Sequence, residues 1–319
     1  MSCGCPALAD PAPPPGRPAP ILKVEGAARP GGALFVTLKG AAEATVHPST
    51  PARSDTTLGE GAPSRTGPVS NPATPPSPGD AAPSNAVAHA PTLHWLGTNY
   101  PFSLEGDVWR AVVPVAISTR PGTFTLSVST AEGEALRRTV TVRKVAYGRQ
   151  SIWLPEAMLA TYDSPRAKAD DRLLLTAAKQ FTPQRFWRGP FRLPALGRLS
   201  TRYGQARTYN GWRKGWHKGL DVAAGAGAPI RAPGGAQVAV VAPGQLVNGN
   251  ATLLDHGIGV FSLYMHQSRI DVRKGQPVTR GGLIGRVGST GAGTGPHLHW
   301  ACYVHGVPVD PQVLLHAPW

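Results

Sequence analysis

Alternation of apolar and polar positions dominates the first half of the chain. "ALFVTLKG", Ala33 to Gly40, reads as a strand. In "TFTLSVSTAEGEALRRTVTVRK", Phe124, Leu126 and Val128 alternate before a Glu-Gly turn, and Val140 and Val142 alternate after it, which predicts a hairpin. Period-two runs present one apolar face each, so short strands joined by turns predict a small antiparallel β-sandwich over residues 21–146. Within it, residues 48–91 are rich in Pro, Ser, Ala, Thr and Gly and poor in large apolar side chains. Burial there cannot offset the entropy of ordering, so this stretch is expected to be a disordered insertion in a sandwich loop, and residues 1–20 a flexible tail.

The period then changes. In "SPRAKADDRLLLTAAKQF", Ser164 is a candidate N-cap and Pro165 suits the first helical position, while Leu174, Ala177, Ala178 and Phe181 follow helical spacing. One amphipathic helix is predicted within a helical linker of residues 147–185, its apolar stripe serving packing. Strand-like runs such as "LLDHGIGVFSLYMH" return over residues 186–319. The predicted fold class is mainly β, with an N-terminal β-sandwich module joined by a helix to a C-terminal antiparallel β-sheet domain.

Composition agrees. The 319 residues include 38 glycines and 34 prolines, which favours strands and turns over a helical bundle. A formal charge of +14 implies an anionic partner. The basic residues are spread along the chain, and no helix-turn-helix, RRM or zinc-finger pattern appears, which argues against nucleic acid. Cys3, Cys5 and Cys302 are too few and scattered for a structural zinc site or a disulfide framework. No stretch approaches the ~20 apolar residues of a membrane span.

Candidate chemistry sits in the C-terminal half. "TGPHLHW" places His297 and His299 two apart, so in a strand both rings share a face and Leu298 turns to the other. "GWHKGLDVAAG" places His217 and Asp221 four apart around Gly219, which disfavours a helix; if extended, both again share a face. His266 ends the strand-like run "SLYMHQS". Two histidines and one carboxylate with a fourth position for water is the pattern of a catalytic zinc site. The run "GSTGAGTG", Gly288 to Gly295, lacks the Gly-Lys-Ser/Thr ending of a phosphate loop and is expected to be a flexible rim beside the cleft.

Taken together and in order, "LSTRYGQARTYNG", "HKGLDVAAGAGAPIRAP", "LLDHGIGVFSLYMH", "VRKGQPVTRGGLIGRVGSTG" and "TGPHLHW" resemble the M23 (lysostaphin/LytM-like) zinc metallopeptidases, from about Phe186 to Pro311. That resemblance implies His217, Asp221 and His299 as ligands of one zinc ion, and His266 and His297 as metal-free active-site histidines. It also places Arg207 and Asn210 at a rim position as candidate substrate contacts. The implied activity is hydrolysis of peptide cross-links in bacterial peptidoglycan. Zinc-activated water would be the nucleophile, and the two histidines acid/base and oxyanion stabiliser. The alternative is a non-catalytic wall-binding or amidase-activating member.

Ala301 and Cys302 stand where many relatives carry a glutamate, a departure expected to soften the metal site. "YPFSLEGDVWRAVVPVAISTRPGTFTLSV" resembles the immunoglobulin-like modules that precede such domains. The implied partners are peptidoglycan stem peptides and anionic wall polymers, acted on by a monomer outside the cytoplasm. The opening residues show no signal peptide, so the true start is expected upstream.

Overall fold

The computed structural model describes residues 19–40, 90–130, 133 and 135–319. Residues 1–18 of the expected tail and 48–89 of the expected insertion lie outside them. Eight strands build the N-terminal unit: β1 (Ile21–Gly26), β2 (Ala33–Lys39), β3 (Thr92–Trp95), β4 (Thr98–Pro101), β5 (Ser103–Glu105), β6 (Val108–Pro114), β7 (Gly122–Ser129) and β8 (Ala135–Val142). They form two four-stranded antiparallel sheets, ordered β1-β2-β6-β5 and β4-β3-β7-β8. Leu34, Val36, Leu126, Val128, Val140 and Val142 meet in one core around Trp95, as the alternation predicts. The Trp95 indole donates to the Pro114 carbonyl at 3.0 Å, so its polar group is satisfied.

The run "ALFV" is apolar at every position because β2 is buried on both faces. Ala33 and Phe35 turn away from the sandwich and enter the core of the second unit with Val112, Trp187 and Trp300. Polar groups tie the same seam. The Arg185 guanidinium pairs with Glu105 and stacks over both Trp187 and Trp319 at 5.1 Å. Arg29 pairs with Asp310 at 2.7 Å, and the His305 ring lies 3.1 Å from the Val112 carbonyl.

Residues 147–185 are more than the helical linker predicted. They hold β9 (Arg149–Ile152), α1 (Glu156–Thr161) and α2 (Pro165–Ala177). The strand was illegible because four residues reading Arg-Gln-Ser-Ile show no period; pairing with a partner strand decides their conformation. α2 begins as predicted, with Ser164 Oγ accepting from the Ala167 amide at 3.1 Å and Pro165 in the first turn. It stops at Ala177, so Phe181 lies past its end and stacks on His305.

The C-terminal sheet contains β10 (Arg198–Thr201), β13 (Gly219–Ala223), β14 (Pro229–Arg231), β15 (Ala236–Gln245), β16 (Gly249–Gly257), β17 (Val260–Ile270), β18 (Pro277–Val278), β19 (Leu283–Val287), β20 (Leu298–Val304) and β21 (Val307–Val309). Its spine runs β10-β13-β20-β17-β16-β15-β18, and its pairings are antiparallel. A separate small sheet joins β9 to the hairpin of β11 (Ala206–Tyr209) and β12 (Arg213–Trp216), with β9 parallel to β11. One face of the large sheet packs toward the sandwich. On the other, α2 buries Leu174 and Ala178 against Ala251, Leu253, Leu263 and Ala301.

Candidate active site

Three neighbouring strands bring the candidate residues together on the face that α2 partly covers. Asp221 on β13 and His299 on β20 are register partners, and Met265 on β17 stands opposite His299 on its other side. His217, Gly219 and Asp221 share one parity, as the spacing of four predicts if the segment is extended. Gly219 has a further role. A Cβ there would come within 2.4 Å of the Trp300 carbonyl oxygen and 2.9 Å of His299 Nε2. Gly219→Ala must therefore push β13 from β20, and is expected to cost about 1–3 kcal/mol and to weaken zinc binding at least about ten-fold. Urea unfolding and a chelator-competition titration would check this; wild-type values in both would mean that the strand pair yields freely.

His217 Nδ1 lies 2.8 Å from the Arg202 carbonyl oxygen, so that nitrogen carries the proton and Nε2 presents a lone pair. Nε2 is 2.9 Å from Asp221 Oδ1 and 3.1 Å from His299 Nδ1, and the last two are 2.8 Å apart. Electron-pair donors this close repel one another unless a cation sits among them. A tetrahedral zinc site with bonds of about 2.0–2.1 Å spaces its donors by roughly 3.3 Å, close to what is seen. Two imidazoles and one carboxylate, all buried, thus fit a zinc ion at the wall of the cleft.

Burial alone would raise the Asp221 pKa, but the facing imidazoles of His217 and His299 hold it well below the carboxylate range. Its outer oxygen, Oδ2, accepts from Arg207 at 3.1 Å, and Arg207 Nε in turn donates to Gln150 on β9 at 3.0 Å. Burial lowers the His299 pKa.

His266 has φ +61°, the left-handed region. Strict alternation would turn it away from Met265. Instead a bulge in β17, where the register with β16 shifts between Thr252 and Asn250, re-aims it into the cleft. Its Nδ1 lies 2.8 Å from the Thr290 carbonyl oxygen, leaving the Nε2 lone pair free. His297 is fixed the same way by the Gly295 carbonyl at 2.8 Å, and the two ring centroids are 4.8 Å apart. Burial, with the nearby His299, pushes the His266 pKa down to about 4, so the ring is neutral at ordinary pH.

The linker walls this cleft. Gln150, Ile152, Tyr162, Asp171 and Leu174 line it with the histidines. Asn248 donates to Asp171 at 3.1 Å and the Leu246 amide donates to Asp170 at 3.0 Å, which pins α2 to the β15–β16 turn. The glycine-rich run forms the opposite rim through Ala292, Thr294 and Gly295, and it is anchored: a Cβ on Gly291 would stand 2.3 Å from the Gly249 amide.

The sequence model of peptidase family M23 matches residues 215–311. A crystal structure of an M23 peptidase from Pseudomonas aeruginosa is 32% identical, with a TM-score of 0.56 over 72% of this chain and 89% of that one. The chain belongs to peptidase family M23. Among curated M23-like sequences, peptidoglycan DD-endopeptidase ShyA of Vibrio cholerae is 42% identical over 94 residues, and DD-carboxypeptidase/endopeptidase Mpg of Neisseria meningitidis is 43% identical over 101. Each match covers 30–31% of this chain and only 22% of the relative's length.

In this M23 peptidase the five residues singled out by spacing and resemblance, His217, Asp221, His266, His297 and His299, line one cleft. Arg207 is there too, bound to Asp221. Asn210 is not: its carboxamide bonds the backbone N–H and C=O of Leu154, both at 2.8 Å, tying the hairpin turn to the linker. His256 lies away from the cleft, buried between the Gly235 carbonyl and Ser262.

The missing glutamate has a local explanation. Ala301 shares the parity of His299 but lies under α2 with Leu174, where a carboxylate would be stripped of water. The carbonyls of Arg202, Thr290 and Gly295, which orient three imidazoles, were not predicted, and backbone groups leave no signal in a sequence. Among the described residues no helix is long and apolar enough to cross a membrane.

Proposed function

We propose that this chain is a zinc-dependent endopeptidase that hydrolyses peptide cross-links of bacterial peptidoglycan. The observation that carries the reading is the meeting of His217 Nε2, Asp221 Oδ1 and His299 Nδ1 within 2.8–3.1 Å. A zinc ion held there would supply Lewis-acid polarisation of the scissile carbonyl and lower the pKa of a water to about 7.

The chain's own groups do the rest. The Arg202 carbonyl and Arg207 orient His217 and Asp221, and α2 with the glycine-rich rim narrows access of bulk water. His266 and His297 present Nε2 lone pairs to the cleft. In this reading they accept the proton of the attacking water, and the ring so charged donates to the leaving amine and steadies the oxyanion. The stem peptide lies along the groove, with Arg207 at its edge.

The same reading places the activity outside the cytoplasm, with the positive charge suited to anionic wall polymers. It treats the N-terminal unit as an immunoglobulin-like module, since its two sheets repeat the ABED and CFG orders of that type. Purified sacculi digested by the wild type should release peptide-cleaved muropeptides seen by mass spectrometry, with about one zinc per chain. Equal release by His299→Ala would end the hydrolase reading, and a chain without zinc would point to a non-catalytic wall-binding protein.

A further inference from the structure

Three tryptophans stand in water on the small sheet beside the cleft. Trp153 is 75% exposed, Trp212 66% and Trp216 53%, values that a solvent-facing ring of this size holds only at a cost. Strand pairing shows how they are arranged. Gln150, Arg207, Tyr209 and Arg213 line the cleft. The opposite parity forms the outer face, where Trp216 stands beside Ala206 and Ala206 beside Arg149, and Lys214 beside Thr208 and Thr208 beside Ser151. Trp153, the first residue past β9, continues the parity of Arg149 and Ser151. The edge of its ring comes within 4.0 Å of where a Cβ on Gly211 would stand, against the turn that carries Trp212.

This face is unlike a protein-docking patch. Its centre is small and polar, its aromatic rings stand at opposite corners, and its charges are the cations Arg149 and Lys214. From Trp216 to Trp153 is four residues along the strands and two strand spacings across, roughly 16 Å. Flat rings spaced by small hydroxyl-bearing positions match a ligand whose units offer C–H faces and hydroxyl and amide edges, which is a polymer of N-acetylated sugars. The face is also continuous with the cleft, because Trp216 reaches its mouth.

We propose that the outer face of the β9–β11–β12 sheet is a binding platform for the glycan strand of peptidoglycan, gripping the polysaccharide while its peptide enters the cleft on the other side. This rests on the peptidoglycan reading above. The platform holds the polymer; it takes no part in bond cleavage.

The test uses the full chain, a β-1,4-linked N-acetylglucosamine oligomer and whole sacculi as probes, and a soluble cross-linked stem peptide without sugar. The double variant Trp153→Ala/Trp212→Ala should bind the oligomer and sacculi at least ten-fold more weakly, yet cut the soluble peptide at the wild-type rate. Trp153→Phe/Trp212→Phe should recover most of the binding. Undiminished binding by the alanine variant, or no tryptophan fluorescence change when the wild type meets the oligomer, overturns the proposal. A rise in KM for the soluble peptide also overturns it, by making the face part of the peptide groove. If the wild type binds sugar through these rings but leaves the peptide uncut, the platform is supported and the hydrolase reading fails.

Discussion

Asp221→Asn is expected to lower both zinc affinity and sacculus hydrolysis by at least about 10³-fold. The substitution keeps the shape of the side chain and removes its charge. In the wild type one carboxylate oxygen faces His217 and His299, and the other accepts from Arg207. An asparagine amide can satisfy one of these roles at most, and turns an N–H either at the metal position or at the Arg207 guanidinium. Loss of affinity and loss of chemistry separate by titration. Saturating zinc should restore occupancy without restoring the rate, because a neutral ligand changes the acidity that the ion can impart. A variant with stoichiometric zinc and a wild-type rate would remove Asp221 from the site.

Acid should destabilise the protein progressively between about pH 6.5 and about 4. Burial pushes the pKa values of His256 and His305 down to about 4 in the folded chain, against about 6.5 when unfolded. Between those values the unfolded chain takes up protons that the folded chain refuses, so stability falls as pH drops from about 6.5 to about 4 and levels off below. Each group contributes at most about 3 kcal/mol over that window. Asp255 opposes them modestly, since burial raises its pKa and favours the folded state at low pH. Unfolding free energies from urea titrations at pH 7.5 and 4.5, measured with chelator present so that ligand loss does not enter, should differ by several kcal/mol. His305→Asn should shrink the difference by about 2–3 kcal/mol. Equal free energies would mean that these rings reach water in the folded state.

The sequence disclosed the site better than the frame around it. Period two places His217 with Asp221, and His297 with His299, because strand parity is a local rule that register then enforces. His266 escapes that rule: alternation sends it to the wrong face, and only the bulge in β17 brings it back. The sandwich strands were readable from Phe124, Leu126 and Val128, yet nothing in Ala33 or Phe35 announced a second core on their other side. Strand β9 and the role of Gln150 were illegible for the same reason that Ala301 looked like a defect. Both are explained by pieces of chain more than fifty residues distant in sequence, β11 for the strand and α2 for the alanine.

The peptidase cannot be lifted out of its chain at the boundary where the family resemblance begins. A fragment opening at Phe186 would lose the strand that steadies Arg207 through Gln150, and would bare Leu253, Leu263 and Ala301 where α2 had shielded them. What resembles a tether between two globules is a piece of the catalytic unit itself, and any portable version of this enzyme has to begin before Arg149.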